Sequence, residues 1–276
     1  MQMENARNRF DTLGKTLGIL TAILVMVLPV NAMAAGCPSE PDWSYSGANG
    51  PAFWNTLFPI MCGKGVLQSP FDIVTSRGNI SAARLPRLIF HYNVAHLVFL
   101  DHDDQIQIDH GQGNYITIGN LRYDLENIHV HTPSEYTIDG KQFPLEIHLV
   151  HKSAGGLLAV VGVLVAAGKS DNGIFEPPSE TDPSTVDLNL IKLVPRKRNY
   201  VRFVGSLTTP GNTPALPRCA EGVLWTEMLT PITMSQDQIA AFEDSEEGCW
   251  GTRTTNRPVQ PVNNRPLLKP MPNTDP

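Results

Sequence analysis

Asn127-Ile128-His129-Val130-His131 and, after a break, Leu145-Glu146-Ile147-His148-Leu149-Val150-His151 are two alternating runs near the middle of this 276-residue chain. Successive side chains of an extended segment point to opposite faces. His129 and His131 therefore share a face of one strand, and Glu146, His148 and Val150 share a face of a second. Pairing the two strands lets three imidazoles converge on one point. Three neutral nitrogen ligands with a fourth position open are the donor set of a catalytic zinc rather than a structural one. His151 points off the opposite face from His148, and His91, His96 and His110 read as core or surface histidines.

On either side of these runs the chain continues in short segments rich in β-branched and apolar residues: 87–92, 96–100, 105–109, 115–118, 125–131, 145–151 and 157–167. Turn residues separate most of them, among them Asp103-Asp104, Gly111-Gln112-Gly113, Asp139-Gly140 and Gly155-Gly156. Gln105-Ile106-Gln107-Ile108-Asp109 alternates as a half-buried strand does, and Leu157 to Val165 is apolar almost throughout, as a central strand is. The spacing predicts a predominantly β domain built on one large sheet. Asp171 to Asp187, acidic and rich in Pro and Ser, reads as surface loop. Ser235 to Phe242 reads as a helix capped by Ser235, with Gln238 completing the capping box. Residues 266–276 form a Pro-rich tail expected to fray.

The first 34 residues have the layout of an export signal. Arg7, Arg9 and Lys15 precede an apolar run from Leu17 to Val30, and Ala32-Met33-Ala34 offers a small-x-small cleavage site. The run is short for a membrane span. Cleavage after Ala34 leaves about 240 residues, within the range of one domain, and moves the formal charge from −6 to −7. No basic stripe suggests nucleic acid, so a small or neutral partner is expected. A periplasmic location follows from export, with secretion or lipid anchoring at Cys37 as alternatives. Four cysteines, 37, 62, 219 and 249, would reach an oxidising compartment where bridges persist. None has CxxC spacing, and three pairings are open.

The chain also carries Gln68-Ser69-Pro70-Phe71-Asp72-Ile73, Ser134-Glu135, Gly205-Ser206-Leu207-Thr208-Thr209-Pro210, Cys219-Ala220-Glu221-Gly222-Val223-Leu224-Trp225 and Asn256-Arg257-Pro258-Val259-Gln260-Pro261. With the two histidine runs, in this order and spacing, the chain from about Trp43 to Arg265 resembles the α-class carbonic anhydrases. The resemblance implies a large, mainly antiparallel twisted sheet with short peripheral helices over residues 35–265. It implies zinc-dependent, reversible hydration of carbon dioxide by attack of zinc-bound hydroxide, with esterase activity on the side, by a monomer or homodimer. His129, His131 and His148 would hold Zn2+, and Asn127 and Glu146 would accept hydrogen bonds from two of the imidazoles. Thr208 would relay a proton to Glu135. Val150, Val160, Leu207, Val223 and Trp225 would wall the substrate pocket, with Thr209 beside the bicarbonate position. Cys62 and Cys219 would be bridged, leaving Cys37 and Cys249 as a second pair.

Four departures from the family pattern stand out. Asp104 occupies the position of a proton-shuttling histidine, with His102 two residues away as a substitute. An unperturbed aspartate pKa of about 3.9 is poorly matched to passing protons at neutral pH. Tyr136 replaces a histidine and Phe203 a tyrosine, which removes hydroxyl and imidazole contacts, and Gly211 to Pro217 lengthens the loop before Cys219. Two rival functions are a cupin-like iron or manganese site with Glu135 as a ligand, and a catalytically inactive binding protein on the same fold. An HExxH protease is excluded because the motif is absent.

Overall fold

The computed structural model describes residues 42–76, 80–99, 105–108, 113–173, 185–211, 218–246 and 254–271. The export signal, Cys37, Cys249, His102, Asp104, His110 and residues 212–217 of the lengthened loop lie outside them.

Fourteen strands are formed by the described residues: β1 (Asp72–Ile73), β2 (Ile80–Ala83), β3 (Leu88–His91), β4 (Val94–Phe99), β5 (Gln105–Ile108), β6 (Tyr115–Ile118), β7 (Leu121–His131), β8 (Thr137–Ile138), β9 (Leu145–Ser153), β10 (Leu158–Ala167), β11 (Thr185–Asn189), β12 (Tyr200–Ser206), β13 (Glu221–Met234) and β14 (Leu267–Pro270). Twelve of them make one sheet whose main path runs β11-β4-β5-β7-β9-β10-β13-β12-β14-β2, with β6 and then β3 added at β7. All its pairings are antiparallel except β10 with β13 and β14 with β2. The apolar run read as a central strand is β10, buried from Ala159 to Val165 between β9 and β13. A parallel neighbour needs a long crossover, and the stretch between β10 and β13 supplies one.

Two segments differ from the reading of the sequence. Thr185–Asn189, the end of the expected acidic loop, pairs with β4 at the sheet edge, where Leu188 is buried. The alternation Val186-Asp187-Leu188 suits a strand with one face covered, and the acidic stretch before it hid that short pattern. Leu267–Pro270, expected to fray, is β14, wedged between β12 and β2 with Leu267 buried. Pro266 and Pro270 bracket it, and proline is tolerated at strand ends. The capped helix spans Gln236–Glu246, and the Gln238 N–H donates to Ser235 Oγ at 3.1 Å.

The two faces of the sheet carry separate cores. Ile147, Leu149, Val161, Val163, Tyr200 and Met228 pack together on one side. Val150, Val160, Phe203, Val223 and Trp225 pack on the other, as the period-2 alternation demands. Phe203 and Tyr136, the two substituted positions, meet there at 5.7 Å between ring centroids. Tyr136 donates its hydroxyl to Ser69 Oγ at 2.7 Å, so a phenol contact is present beside the buried Phe203 rather than lost. Cys62, in the short helix Met61–Lys64, is bridged to Cys219 and packs with Trp54. A bridge closing so long a loop typically contributes roughly 2–4 kcal/mol.

His151 lies in the first core, fully buried. Tyr92 donates its hydroxyl to Nε2 at 2.6 Å, and Nδ1 faces the Ala159 carbonyl at 3.3 Å. Burial pushes this imidazole down to about 3. An ordinary imidazole titrates at about 6.5, so the unfolded chain binds a proton below that value while the native state refuses it. The associated stability is whole above pH 6.5 and drains as pH falls toward 3. His151→Gln, which keeps a partner for Tyr92 but cannot titrate, is expected to flatten the loss of stability between pH 6.5 and 4 by about 3 kcal/mol. Urea unfolding of both proteins across that range measures it; parallel pH curves would contradict the assignment.

Candidate metal centre

β7 and β9 pair so that His129 stands directly opposite His148 and His131 opposite Glu146. Opposed residues of an antiparallel pair project to the same side. His131 and His148 are buried, His129 is half-buried, and one ring nitrogen from each lies within 4.8 Å of the others.

Each ring is held by its other nitrogen. Asn127 Oδ1 is 2.9 Å from His129 Nδ1, the Thr255 carbonyl is 2.5 Å from His131 Nδ1, and Glu146 Oε1 is 2.8 Å from His148 Nε2. An acceptor at one nitrogen selects the tautomer that frees the lone pair of the other. The freed atoms are His129 Nε2, His131 Nε2 and His148 Nδ1. His129 Nε2 and His148 Nδ1 are 3.2 Å apart, close to the ~3.3 Å edge of a tetrahedron with metal–nitrogen bonds of about 2.0–2.1 Å. His131 Nε2 is buried with no hydrogen-bond partner. An orphaned acceptor in such a cluster fits a cation.

Burial also keeps the rings neutral. It lowers His129 far below the ordinary imidazole range, aided by the charges of its two neighbours; it lowers His131; and it brings His148 to about 4. At neutral pH all three are lone-pair donors without any proton to displace. Glu146 is pushed up to about 7 by burial, against two backbone N–H donors, Glu135 and Tyr136, both 2.8 Å from Oε2. A cation on the imidazoles would pull with those donors and hold it ionised.

Glu135 and Thr208 are both buried, but no hydrogen bond joins them among the described residues. Glu135 Oε1 accepts the Arg257 N–H at 2.8 Å. Its Oε2 has no partner and lies 3.4 Å from His131 Nε2. Among the described residues the expected Thr208–Glu135 hydrogen bond is not formed, and Glu135 keeps one unspent acceptor.

The apolar wall assembles from neighbouring strands. Val150, Val160 and Trp225 form one row, Val150 opposite Val160 and Val160 opposite Trp225. Val223 joins the same cluster, with Leu207 packed against it. Trp225 meets the His148 ring edge-on at 4.9 Å and donates its indole N–H to the Ser206 carbonyl at 2.9 Å. Thr209, half-buried, accepts the Cys219 N–H at its carbonyl.

Three features of the site were not singled out in the sequence. The carbonyl of Thr255 holds His131, and a backbone acceptor leaves no side-chain signature. Arg257 reaches Gln68 Oε1 and the Ser69 carbonyl at 2.9 and 2.8 Å while its backbone holds Glu135. It could have been found, since both of its partner segments were recognised as motifs. Glu227 is the third. His148, Gly162 and Glu227 lie in one row of the sheet, and a Cβ on Gly162 would stand 1.8 Å from Glu227 Oε2. Glu227 is fully buried with both carboxyl oxygens unpartnered. Burial and then the Glu146 charge push it well above the carboxylate range, so it stays a neutral acid.

The family model described as eukaryotic-type carbonic anhydrase matches residues 49–270. A carbonic anhydrase of Pectobacterium carotovorum is 33% identical over 246 residues, covering 85% of this chain and 93% of that protein. The α-carbonic anhydrase of Thermovibrio ammonificans, solved with the inhibitor sulfanilamide, superposes with a TM-score of 0.68 at 32% identity, over 84% of this chain and 100% of that one. Dioscorin, solved with ascorbate, is also similar, with a TM-score of 0.65 at 28% identity over 82% of this chain and 97% of that one.

Proposed function

Since the chain belongs to the eukaryotic-type carbonic anhydrase family, we propose that it interconverts carbon dioxide and bicarbonate at a zinc held by His129, His131 and His148. One observation carries this reading: three neutral imidazoles, two buried and one half-buried, each spend one nitrogen on a fixed acceptor and aim the other at a common point. A zinc ion held there would supply an acidified water, with a pKa of about 7 as is established for carbonic anhydrase itself, and a polarising charge for the oxygen that develops negative charge.

The chain's own residues do the rest. Asn127, Glu146 and the Thr255 carbonyl lock the rings, so no reorganisation is needed when a ligand binds. Val150, Val160, Leu207, Val223 and Trp225 offer carbon dioxide, which has no net dipole, a surface that does not hold water against it. Thr208 donates its hydroxyl proton toward Glu135 Oε2, the carboxylate oxygen with no other partner. That donation fixes the direction in which Thr208 can accept a hydrogen bond from the nucleophile, and orients it toward the apolar wall. Arg257, through its N–H on Oε1, keeps Glu135 in place.

Proton release follows the weakened route: Asp104 or His102 passes the proton to solvent, neither matched to the task as a histidine at the Asp104 position would be. The chain is exported and acts in the periplasm after loss of residues 1–34. The Cys62–Cys219 bridge supports an oxidising destination.

The deciding experiment is stopped-flow carbon dioxide hydration on mature protein, with metal content determined on the same sample and buffer concentration varied. One zinc per chain and turnover that rises with buffer are expected. Turnover independent of buffer would overturn the proton-release assignment. Bound zinc without turnover would favour a binding protein on the same fold. Bound iron or manganese would favour Glu135 as a ligand.

A further inference from the structure

A cavity of about 470 Å³ opens between β3 and the turn leading into β12. Phe90 and Tyr200, which form its aromatic floor, belong to the core on the sheet face away from the three histidines. Arg87, Arg196 and Arg198 line it, and none of its lining residues is acidic. Among the described residues, no side chain forms an ion pair or hydrogen bond with any of these three guanidinium groups. The three arginines are exposed, and gathered at one opening on a chain of net charge −6 they form a local positive patch.

The walls are anchored. Arg202 Nη1 donates to the Pro86 carbonyl at 2.8 Å and ties the two sides together, and the Gly119 N–H holds the Arg87 carbonyl at 2.8 Å. The Asn199 carbonyl accepts the Leu229 N–H at 2.9 Å, next to Arg198. Arg198 itself lies over the Phe90 ring, 4.8 Å from its centroid. A guanidinium stacked on an aromatic face loses less freedom when it binds an anion. The cavity thus offers three exposed guanidinium forks, one of them stacked on Phe90, above an apolar floor.

We propose that it binds a phosphate monoester carried on an apolar or aromatic body. Guanidinium forks match phosphate oxygens two at a time, and a dianion offsets more of the converging charge than a monoanion does. The space exceeds a bare phosphate, and Leu88, Phe90 and Tyr200 would take the attached group. The proposal does not depend on the chemistry at the histidines.

The test uses the full mature chain loaded with zinc and phenyl phosphate as the probe, followed by titration calorimetry. Saturable binding in the millimolar range or tighter is expected. The double variant Arg196→Ala/Arg198→Ala should weaken it by about tenfold or more, because two charge-assisted contacts are lost, and should leave carbon dioxide hydration unchanged. Co-sedimentation with phosphatidic acid vesicles, displaced by phenyl phosphate and lost in the double variant, would assign the phosphate to a lipid headgroup. Binding of phenyl phosphate without vesicle binding would assign it to a soluble ester. No saturable binding, binding indifferent to the two arginines, or benzoate bound as tightly as phenyl phosphate would overturn the proposal.

Discussion

His148→Ala is expected to empty the metal centre and reduce carbon dioxide hydration to background. A structural zinc site with four protein ligands is held by about 10–16 kcal/mol at neutral pH, so each ligand accounts for about 3 kcal/mol, over a hundredfold in affinity. His148 is worth more than its own bond. It faces His129 at 3.2 Å, its ring edge supports Trp225, and its Nε2 satisfies Glu146 Oε1. Without it, a fully buried carboxyl keeps two backbone donors on one oxygen and nothing on the other. Metal analysis after dialysis, together with circular dichroism to show that the sheet persists, tests the expectation. A variant that keeps stoichiometric zinc and full turnover would sink the ligand assignment.

Thr208→Ala is the second large effect, and it separates binding from chemistry. Thr208 belongs to none of the imidazole contacts, so zinc content should be unchanged. Turnover should fall by about a hundredfold, the contribution of a positioned proton donor and acceptor. Thr208→Ser, which keeps the hydroxyl, should recover most of it. Glu135→Gln should resemble Thr208→Ala, because an amide can present its N–H where Oε2 now stands and so reverse the direction of the bond. A Thr208→Ala enzyme as fast as the parent would show that the unspent oxygen of Glu135 serves another partner.

The three clustered histidines were the most legible part of this molecule. Period-2 alternation places His129 and His131 on one face without any knowledge of the fold, and the same alternation separates His148 from His151. The apolar run from Leu157 was equally plain, because a strand covered on both faces has nowhere to put a charge. Legibility failed where a signal was short or backbone-borne. β14 is four residues bracketed by prolines, and its partners, β2 and β12, lie far away in sequence. The Thr255 carbonyl could belong to any residue type. Glu227 reads as one acid in a mixed strand, and its isolation is a property of packing alone.

Residue order alone thus settles which side chains can share a face and which chemistry their types permit: three imidazoles and a β-rich frame, the two supporting acceptors having come only with the resemblance. It settles this because alternation is a local consequence of backbone geometry. The register that sets His129 against His148, the choice of free nitrogen on each ring, and the neutral state of the buried groups belong to the folded protein. These depend on residues up to 124 positions apart, Thr255 and His131 being the longest of the ring contacts, and on the removal of water from the whole face, which no local run of sequence encodes.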